Sequence, residues 1–239
     1  MAGSFTRVPW YNALNMALAP EKLKEVPDRL LAALHRAGMS PETIQQMYHL
    51  DPPTVARALA RAPERLTVAD LDYLPRDGYH YELWEGKLIR MSPSKRRHAG
   101  SAGILVMHLG AYLLEHPLGE ISIAEGGFRA GPNESVCCPD LAYVSHERAA
   151  TVPLDEYYPF APDIAVEVWS PDNTEQEMSD KAASYLAHGA RLVWILRPQD
   201  KTVRVYRPNL PVQTLRVGDL LTVEGVLPGF SVQVGLLFL

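Results

Sequence analysis

Two apolar runs on either side of one helix constrain the fold more than any other feature of this sequence. Ile164–Trp169 is almost wholly apolar, and Leu192–Leu196 is a second run of the same kind. Such runs are typical of strands buried on both faces of a sheet. Between them, Thr174 and Glu177 have the spacing of a capping box, and Gly189 ends the predicted helix. We therefore predict an α/β fold with Ile164–Trp169 as a central strand.

Shorter strands and one long helix accompany this core. Residues 79–91 form two strand-like runs that turn at Gly86, which predicts a β-hairpin. Apolar residues at helical spacing predict an amphipathic helix from His98 to His116. Additional strands are predicted over Glu120–Phe128, Cys138–Val144 and Val203–Arg207, followed by short strands and turns.

The first 65 residues have a helical, strand-free pattern. Ser40-Pro41 and Asp51-Pro52 each place an N-cap residue before a proline, which favours two helix starts, and Gly38 closes the helix before them. We therefore divide the chain into an all-helical N-terminal extension, residues 1–65, and an α/β domain, residues 66–239.

The two short helices over residues 40–60 allow two interpretations. Their spacing is similar to that of a DNA-reading helix-turn-helix, with Arg57 and Arg61 available to phosphates. Because the local charge is only weakly basic, the other interpretation is a helical cap or a contact between two copies of the chain. The second interpretation leads us to expect a homodimer.

Composition and charge exclude several classes of protein. The formal net charge is −5, which counts against a protein that coats nucleic acid by charge alone. No unbroken apolar run is longer than Ala102–Met107, which is far shorter than the roughly 20 residues of a membrane-spanning helix, so we expect no membrane partner. Cys137 and Cys138 are adjacent and offer neither a long-range disulfide nor a metal-binding array. The N-terminus lacks the apolar block of a signal peptide, and we expect a cytoplasmic protein.

Two acidic residues stand in apolar strand patterns, Asp140 within Pro139–Val144 and Glu167 within Ile164–Trp169. A buried acid is costly unless it is paired or bound to a metal. If the two strands are neighbours, both acids can project from one face, where a cation would relieve their repulsion. Two carboxylates, the Val168 carbonyl and waters would suit Mg²⁺. The alternatives are a hydrogen bond from a loop for Asp140 and an ion pair with a basic neighbour for Glu167.

Lys181 lies on the predicted helix after Glu167, and its long stem could bring an ammonium group to a scissile phosphate or an attacking water. A surface pair with Glu177, four residues earlier, is the alternative. Glu82 stands in an aromatic and apolar strand of the hairpin. It could join the same cluster as a further metal or water ligand, or it could face solvent.

The densest basic segment, Lys95–His98, comes at the start of the predicted long helix. Helix N-termini favour anions, so Arg97 and His98 are candidates for contact with a substrate phosphate, and His98 could also relay a proton. Capping and ordinary solvation are the alternatives for both residues.

A series of short motifs runs from about Leu66 to the C-terminus. In order, they are Tyr81-Glu82-Leu83 with Glu85-Gly86, Met91-Ser92-Pro93 with His98, Pro139-Asp140, Pro162-Asp163 before Glu167-Val168, Ser170-Pro171, Asp180-Lys181, Tyr185, Gly189, Trp194-Ile195 and Leu227-Pro228-Gly229-Phe230. Together they resemble the Uma-two family of restriction-endonuclease-like proteins, within the PD-(D/E)XK nuclease superfamily.

The resemblance implies a restriction-endonuclease-like mixed central sheet flanked by helices, and hydrolysis of phosphodiester bonds in DNA with Mg²⁺ or Mn²⁺. By position, Asp140 and Glu167 would bind the metal, and Lys181 would be the catalytic lysine. The general nuclease motif has its lysine two residues after the acid, where this chain has Trp169. That departure and the acidic net charge motivate an alternative, a catalytically inactive nuclease-fold protein that acts as a nucleic-acid-binding or regulatory module.

Overall fold

The computed structural model describes residue 23 and residues 25–91, 94–124, 126–223 and 225–239. The chain divides into two compact units, Met1–Met91 and Ser92–Leu239. The helical pattern predicted over residues 1–22 lies outside the described residues. Within the described part, no helix is both long enough and apolar enough to cross a membrane.

Three short helices open the described part of the first unit: α1 (Asp28–Arg36), α2 (Pro41–Tyr48) and α3 (Pro52–Leu59). The predicted starts of α2 and α3 are confirmed. The Ser40 hydroxyl accepts a hydrogen bond from the Thr43 amide, and the Asp51 carboxylate accepts one from the Thr54 amide at 2.8 Å. These caps satisfy amide groups that have no partner within the helix.

A 3₁₀ helix (Val68–Tyr73) and the predicted hairpin, β1 (His80–Trp84) and β2 (Lys87–Met91), complete this unit. Gly86 has φ +74°, and its carbonyl accepts a hydrogen bond from the Leu66 amide at 2.8 Å. A Cβ at Gly86 would come within 2.7 Å of Cβ of Arg65, so both the conformation and the close approach require glycine here. The hairpin therefore packs with the segment around residue 66, and the predicted domain boundary at that position stays a prediction.

The second unit contains a six-stranded mixed sheet. Its helices are α4 (Arg96–Glu115), α5 (His146–Ala149) and α6 (Glu175–Ala187), and its strands are β3 (Gly119–Ile123), β4 (Leu141–Ser145), β5 (Ile164–Val168), β6 (Leu192–Arg197), β7 (Thr202–Tyr206) and β8 (Gln213–Leu215). The strand order follows the chain from β3 to β8, with β5 and β6 parallel and all other neighbours antiparallel. The prediction that β5 is a central strand is confirmed.

The alternation of side chains along each strand determines which residues face a given helix. Leu105 and Leu109 of α4 pack in one apolar cluster with Ile164, Val166 and Val168, the even-numbered residues of β5. Glu167 is an odd-numbered residue of β5, so its side chain points to the opposite face of the sheet. The helix α6 packs against the neighbouring strand β6. A separate two-stranded sheet, β9 (Leu220–Thr222) and β10 (Ser231–Gln233), and a 3₁₀ helix (Val234–Leu237) follow.

Two strand boundaries differ from the prediction. Strand β3 ends at Ile123 rather than Phe128, since consecutive glycines at 126 and 127 disfavour a continued strand. Strand β4 begins at Leu141 rather than Cys138, because Pro139 has no amide hydrogen for the ladder. Asp140 therefore lies at a bend directly before β4 and not inside the strand.

Candidate active site

Asp140 and Glu167 stand beside each other at the junction of β4 and β5. Leu141 pairs with Val166 in the antiparallel register, so the residue before Leu141 lies next to the residue after Val166. Oδ2 of Asp140 accepts a hydrogen bond from the amide of Val168 at 2.7 Å. The hydrogen-bond donor to Asp140 is thus the last residue of β5, and the alternative of a hydrogen bond from a loop is wrong.

Glu167 is a buried acid, with 6% of its surface exposed in a strand whose residues are all buried. Its Oε1 accepts hydrogen bonds from the Tyr185 hydroxyl at 2.8 Å and from Nζ of Lys181 at 3.3 Å. Both donors come from α6, where a spacing of four residues places them on one face. The helix thus supplies the charge and the hydrogen bonds that offset burial of this carboxylate.

The helix α6 is fixed by its capping box. The Thr174 hydroxyl accepts from the Glu177 amide, and the Glu177 carboxylate accepts from the Thr174 amide at 2.8 Å. Because Glu177 caps the helix, its carboxylate is directed to the N-terminus. Lys181 makes an ion pair with Glu167, and the surface pair with Glu177 stays a prediction.

His98 lies in the first turn of α4, and its Nε2 is 3.2 Å from Oδ2 of Asp140. Burial lowers the pKa of His98, but the hydrogen bond to Asp140 and the charges of Asp140 and Glu167 outweigh this effect and hold the pKa above its ordinary value. The neighbouring Arg97 is exposed. Contact of either residue with a substrate phosphate stays a prediction.

Glu82, the remaining sequence candidate, belongs to the first unit. It lies in β1 and is 3% exposed, so the alternative of a solvent-facing hairpin residue is wrong. Its role as a further metal or water ligand stays a prediction.

The helix-turn-helix-like segment offers less free positive charge than its sequence indicated. Arg61 pairs with Asp28, with Nη1 3.1 Å from Oδ2, and with Glu64, with Nε 3.8 Å from Oε1. Arg57 is exposed. Only Arg57 therefore matches the expectation of an arginine available to phosphates.

The donors at the end of β5 fit a hard divalent cation. Among the residues that the structure describes, no three His, Cys, Asp or Glu side chains form a ready-made metal cage. Mg²⁺ is commonly held by one or two carboxylates, with waters and substrate phosphate completing its shell. Two acids and the Val168 carbonyl are oxygen donors of this kind, so the donor set suits Mg²⁺ or Mn²⁺.

The hydrogen bond from Tyr185 to Glu167 was not expected from the sequence. The signal was the four-residue spacing between Lys181 and Tyr185, which assigns both to one face of α6. Trp169, at the position of the general motif's lysine, stacks under the Arg197 guanidinium, whose Cζ lies 4.4 Å from the ring centroid.

The mixed sheet, with two acids and a helix-borne lysine at the end of β5, is the arrangement expected for a restriction-endonuclease-like fold. The chain belongs to the Uma2 family, described as "Putative restriction endonuclease", whose model matches residues 68–235. The family resemblance inferred from the sequence motifs is confirmed.

The fold is also similar to that of a solved structure, described as "Crystal structure of a putative nuclease belonging to DUF820 from Anabaena variabilis ATCC 29413 at 1.96 A resolution". The TM-score is 0.64 at 20% sequence identity, and the match covers 72% of this chain and 97% of the other. The predicted mixed central sheet flanked by helices is therefore confirmed. No match was found among curated proteins.

Proposed function

We propose that this protein is a metal-dependent endonuclease that hydrolyses phosphodiester bonds in DNA. Membership of the Uma2 family supports a nuclease function. The observation that carries the proposal is the ion pair of Lys181 with Glu167 at 3.3 Å, beside an Asp140 carboxylate bonded to the adjacent Val168 amide. Two acids and one ammonium group thus meet at one end of β5.

Asp140, Glu167 and the Val168 carbonyl are the groups that would hold Mg²⁺ or Mn²⁺. When bound, such an ion supplies Lewis acidity and lowers the pKa of a water ligand. The Lys181 ammonium would stabilise the negative charge that grows on the phosphate oxygens, or orient the attacking water. Tyr185 keeps Glu167 in place by donating to Oε1.

The start of α4 supports binding of a phosphate backbone. Lys95, Arg96 and Arg97 are all exposed there, and a helix N-terminus adds its own positive potential. These groups would position the substrate without reading its base sequence. The homodimer and the cytoplasmic location expected from the sequence stay predictions.

Conversion of supercoiled plasmid to the nicked form tests the proposal. The full chain should nick DNA with Mg²⁺ or Mn²⁺ and stop when a chelator is added. Asp140→Asn should abolish nicking, while Asp172→Asn, at an exposed residue of the loop after β5, should leave it unchanged. Equal nicking by wild type and Asp140→Asn would overturn the proposal.

The same assay distinguishes the proposed nuclease from the alternative that Trp169 suggests, a catalytically inactive nuclease-fold protein. A nuclease-fold protein without catalysis would retain DNA affinity while it neither cleaves the plasmid nor takes up metal. A labelled RNA of the same sequence, tested in parallel, establishes whether the substrate is DNA as proposed.

A further inference from the structure

The side chain of Trp169 lies on the same face of the sheet as Glu167, immediately beyond β5. The main-chain amide of Trp169 donates to the Leu196 carbonyl at 2.8 Å, so the parallel pairing of β5 with β6 continues for one more residue. Side chains alternate along a strand, and residues two positions apart share a face at a spacing of about 7 Å. Trp169 therefore lies beside a carboxylate that is proposed to hold the metal ion.

An arginine packs against the indole ring of Trp169 from β6. Cζ of Arg197 lies 4.4 Å from the ring centroid. Two carboxylates hold the guanidinium, with Nη1 3.3 Å from Oε2 of Glu175 and Nε 3.2 Å from Oδ2 of Asp200. A guanidinium held on an aromatic ring in this way is preorganised, because neither group has to be ordered when a ligand arrives.

The ring of this tryptophan is half-buried, whereas Trp194 of β6 is fully buried in the apolar core. The charges around the half-buried ring balance. Arg197 and Arg204 both pair with Glu175, and Arg197 also pairs with Asp200, so two positive charges meet two negative charges. A partly exposed aromatic ring in such surroundings suits a flat aromatic partner better than a phosphate.

We propose that Trp169 is a stacking platform for a nucleobase of the substrate, on the nucleotide next to the scissile phosphate. This inference rests on the proposed function, because the metal site is what places that phosphate. Every base has a π-face, so stacking on an aromatic ring binds a strand without reading its sequence. In a duplex the base is already paired and stacked, and freeing it costs energy. The preferred substrate is therefore DNA with an unpaired base at the cleavage position.

A purely structural role for Trp169 predicts a different pattern. If the ring only held the ends of β5 and β6 together through Arg197, its replacement would slow the cleavage of every substrate by the same factor. A stacking role affects only substrates that carry a base at the right position. Its contribution to affinity is also insensitive to salt, because stacking neutralises no phosphate charge.

Cleavage of single-stranded oligonucleotides with one abasic site, moved stepwise past the cleavage position, provides the test. With Mn²⁺, wild type should cleave the strand that lacks the stacked base about tenfold more slowly than the intact strand. Trp169→Leu should cleave the intact strand about tenfold more slowly than wild type, with no further loss on the abasic strand. Trp84→Leu, at a half-buried tryptophan of β1, is the matched control and should behave as wild type.

A fully paired duplex of the same sequence tests the substrate class. Wild type should cleave this duplex more slowly than the single strand, and Trp169→Leu should lose most of that preference. Equal rates of wild type on the two substrates would contradict a preference for an unpaired base.

Equal loss on the abasic strand in wild type and Trp169→Leu, or no loss in wild type at any position, would overturn the stacking role. Either result leaves the proposed nuclease function intact, because the intact strand is still cut. If wild type cuts no strand, the proposed function fails, and the stacking role is then decided by a measurement that needs no cleavage.

Tryptophan emission supplies that measurement, and it also covers the case in which Trp169→Leu does not fold. A single-stranded oligonucleotide, titrated into the full chain with a chelator present, should quench the emission of wild type and of Trp84→Phe. Trp169→Phe keeps a smaller ring against Arg197 and should lose most of the quenching. No quenching of wild type, or equal quenching in Trp169→Phe, would contradict contact between a base and this ring.

Discussion

Nζ of Lys181 lies 3.3 Å from Oε1 of Glu167, although the two residues are 14 positions apart and belong to different elements. The capping box at Thr174 fixes where α6 begins, and the helix carries the ammonium group back to the end of β5. In the general nuclease motif, the lysine that reaches this place lies in the strand itself, two residues after the acid. Here Trp169 occupies that position and packs against Arg197.

Lys181→Met should reduce DNA cleavage by at least about 100-fold, because a positioned charge at the reacting phosphate is lost. Metal uptake should persist, since both carboxylates and the Val168 carbonyl remain. Initial nicking rates and calorimetry on the same preparation measure the two quantities. Lys87→Met, at an exposed lysine of β2, serves as the control. Cleavage by Lys181→Met at the wild-type rate would exclude a catalytic role for this lysine.

Tyr185→Phe should lower the free energy of unfolding by about 2 kcal/mol, since it removes a buried hydrogen bond to a carboxylate. Urea denaturation of both proteins measures this difference. Tyr206→Phe, at a half-buried tyrosine of β7, should have little effect. A variant as stable as wild type would mean that Glu167 does not depend on this donor.

Acid should weaken the first unit through Asp70, whose carboxylate is almost fully buried. Burial raises the pKa of Asp70, but hydrogen bonds from Arg29 and Thr67 outweigh it and hold the pKa below the ordinary aspartate value of 3.8. Nε and Nη2 of Arg29 each lie 2.9 Å from a carboxylate oxygen, as a two-point contact.

A lowered pKa in the folded state gives stabilisation that is complete above the ordinary value and is lost as the pH falls through the folded pKa. The free energy of unfolding of wild type should therefore decrease once the pH is below about 4. Asp70→Asn should be less stable than wild type at neutral pH, and its free energy of unfolding should decrease less on acidification. Urea denaturation across this pH range is the measurement. Parallel pH profiles for the two proteins would show that Asp70 contributes nothing to acid sensitivity.

The local signals in the sequence predicted the framework of the site well. The apolar run of β5, the capping box of α6 and the N-caps at Ser40 and Asp51 each act within a few residues, so the sequence is sufficient to locate them. The acidic residues Asp140 and Glu167 stood out because such patterns seldom tolerate a charge.

The contacts between elements could not be predicted in the same way. Nothing in the sequence near Asp140 indicates that its carboxylate accepts from the Val168 amide or faces His98, because both contacts depend on strand register and on where α4 begins. The start of β4 after Pro139 shifted Asp140 out of the strand, which the apolar pattern alone did not reveal.

Uptake of Mn²⁺ by the full chain, compared between wild type and Glu167→Gln by calorimetry, tests the central claim most directly. The claim is that Asp140 and Glu167 together hold a divalent ion at the end of β5. We expect saturable binding by wild type and its loss in Glu167→Gln, with both proteins folded as judged by circular dichroism. Equal binding by the two proteins, or no binding by wild type, would contradict it.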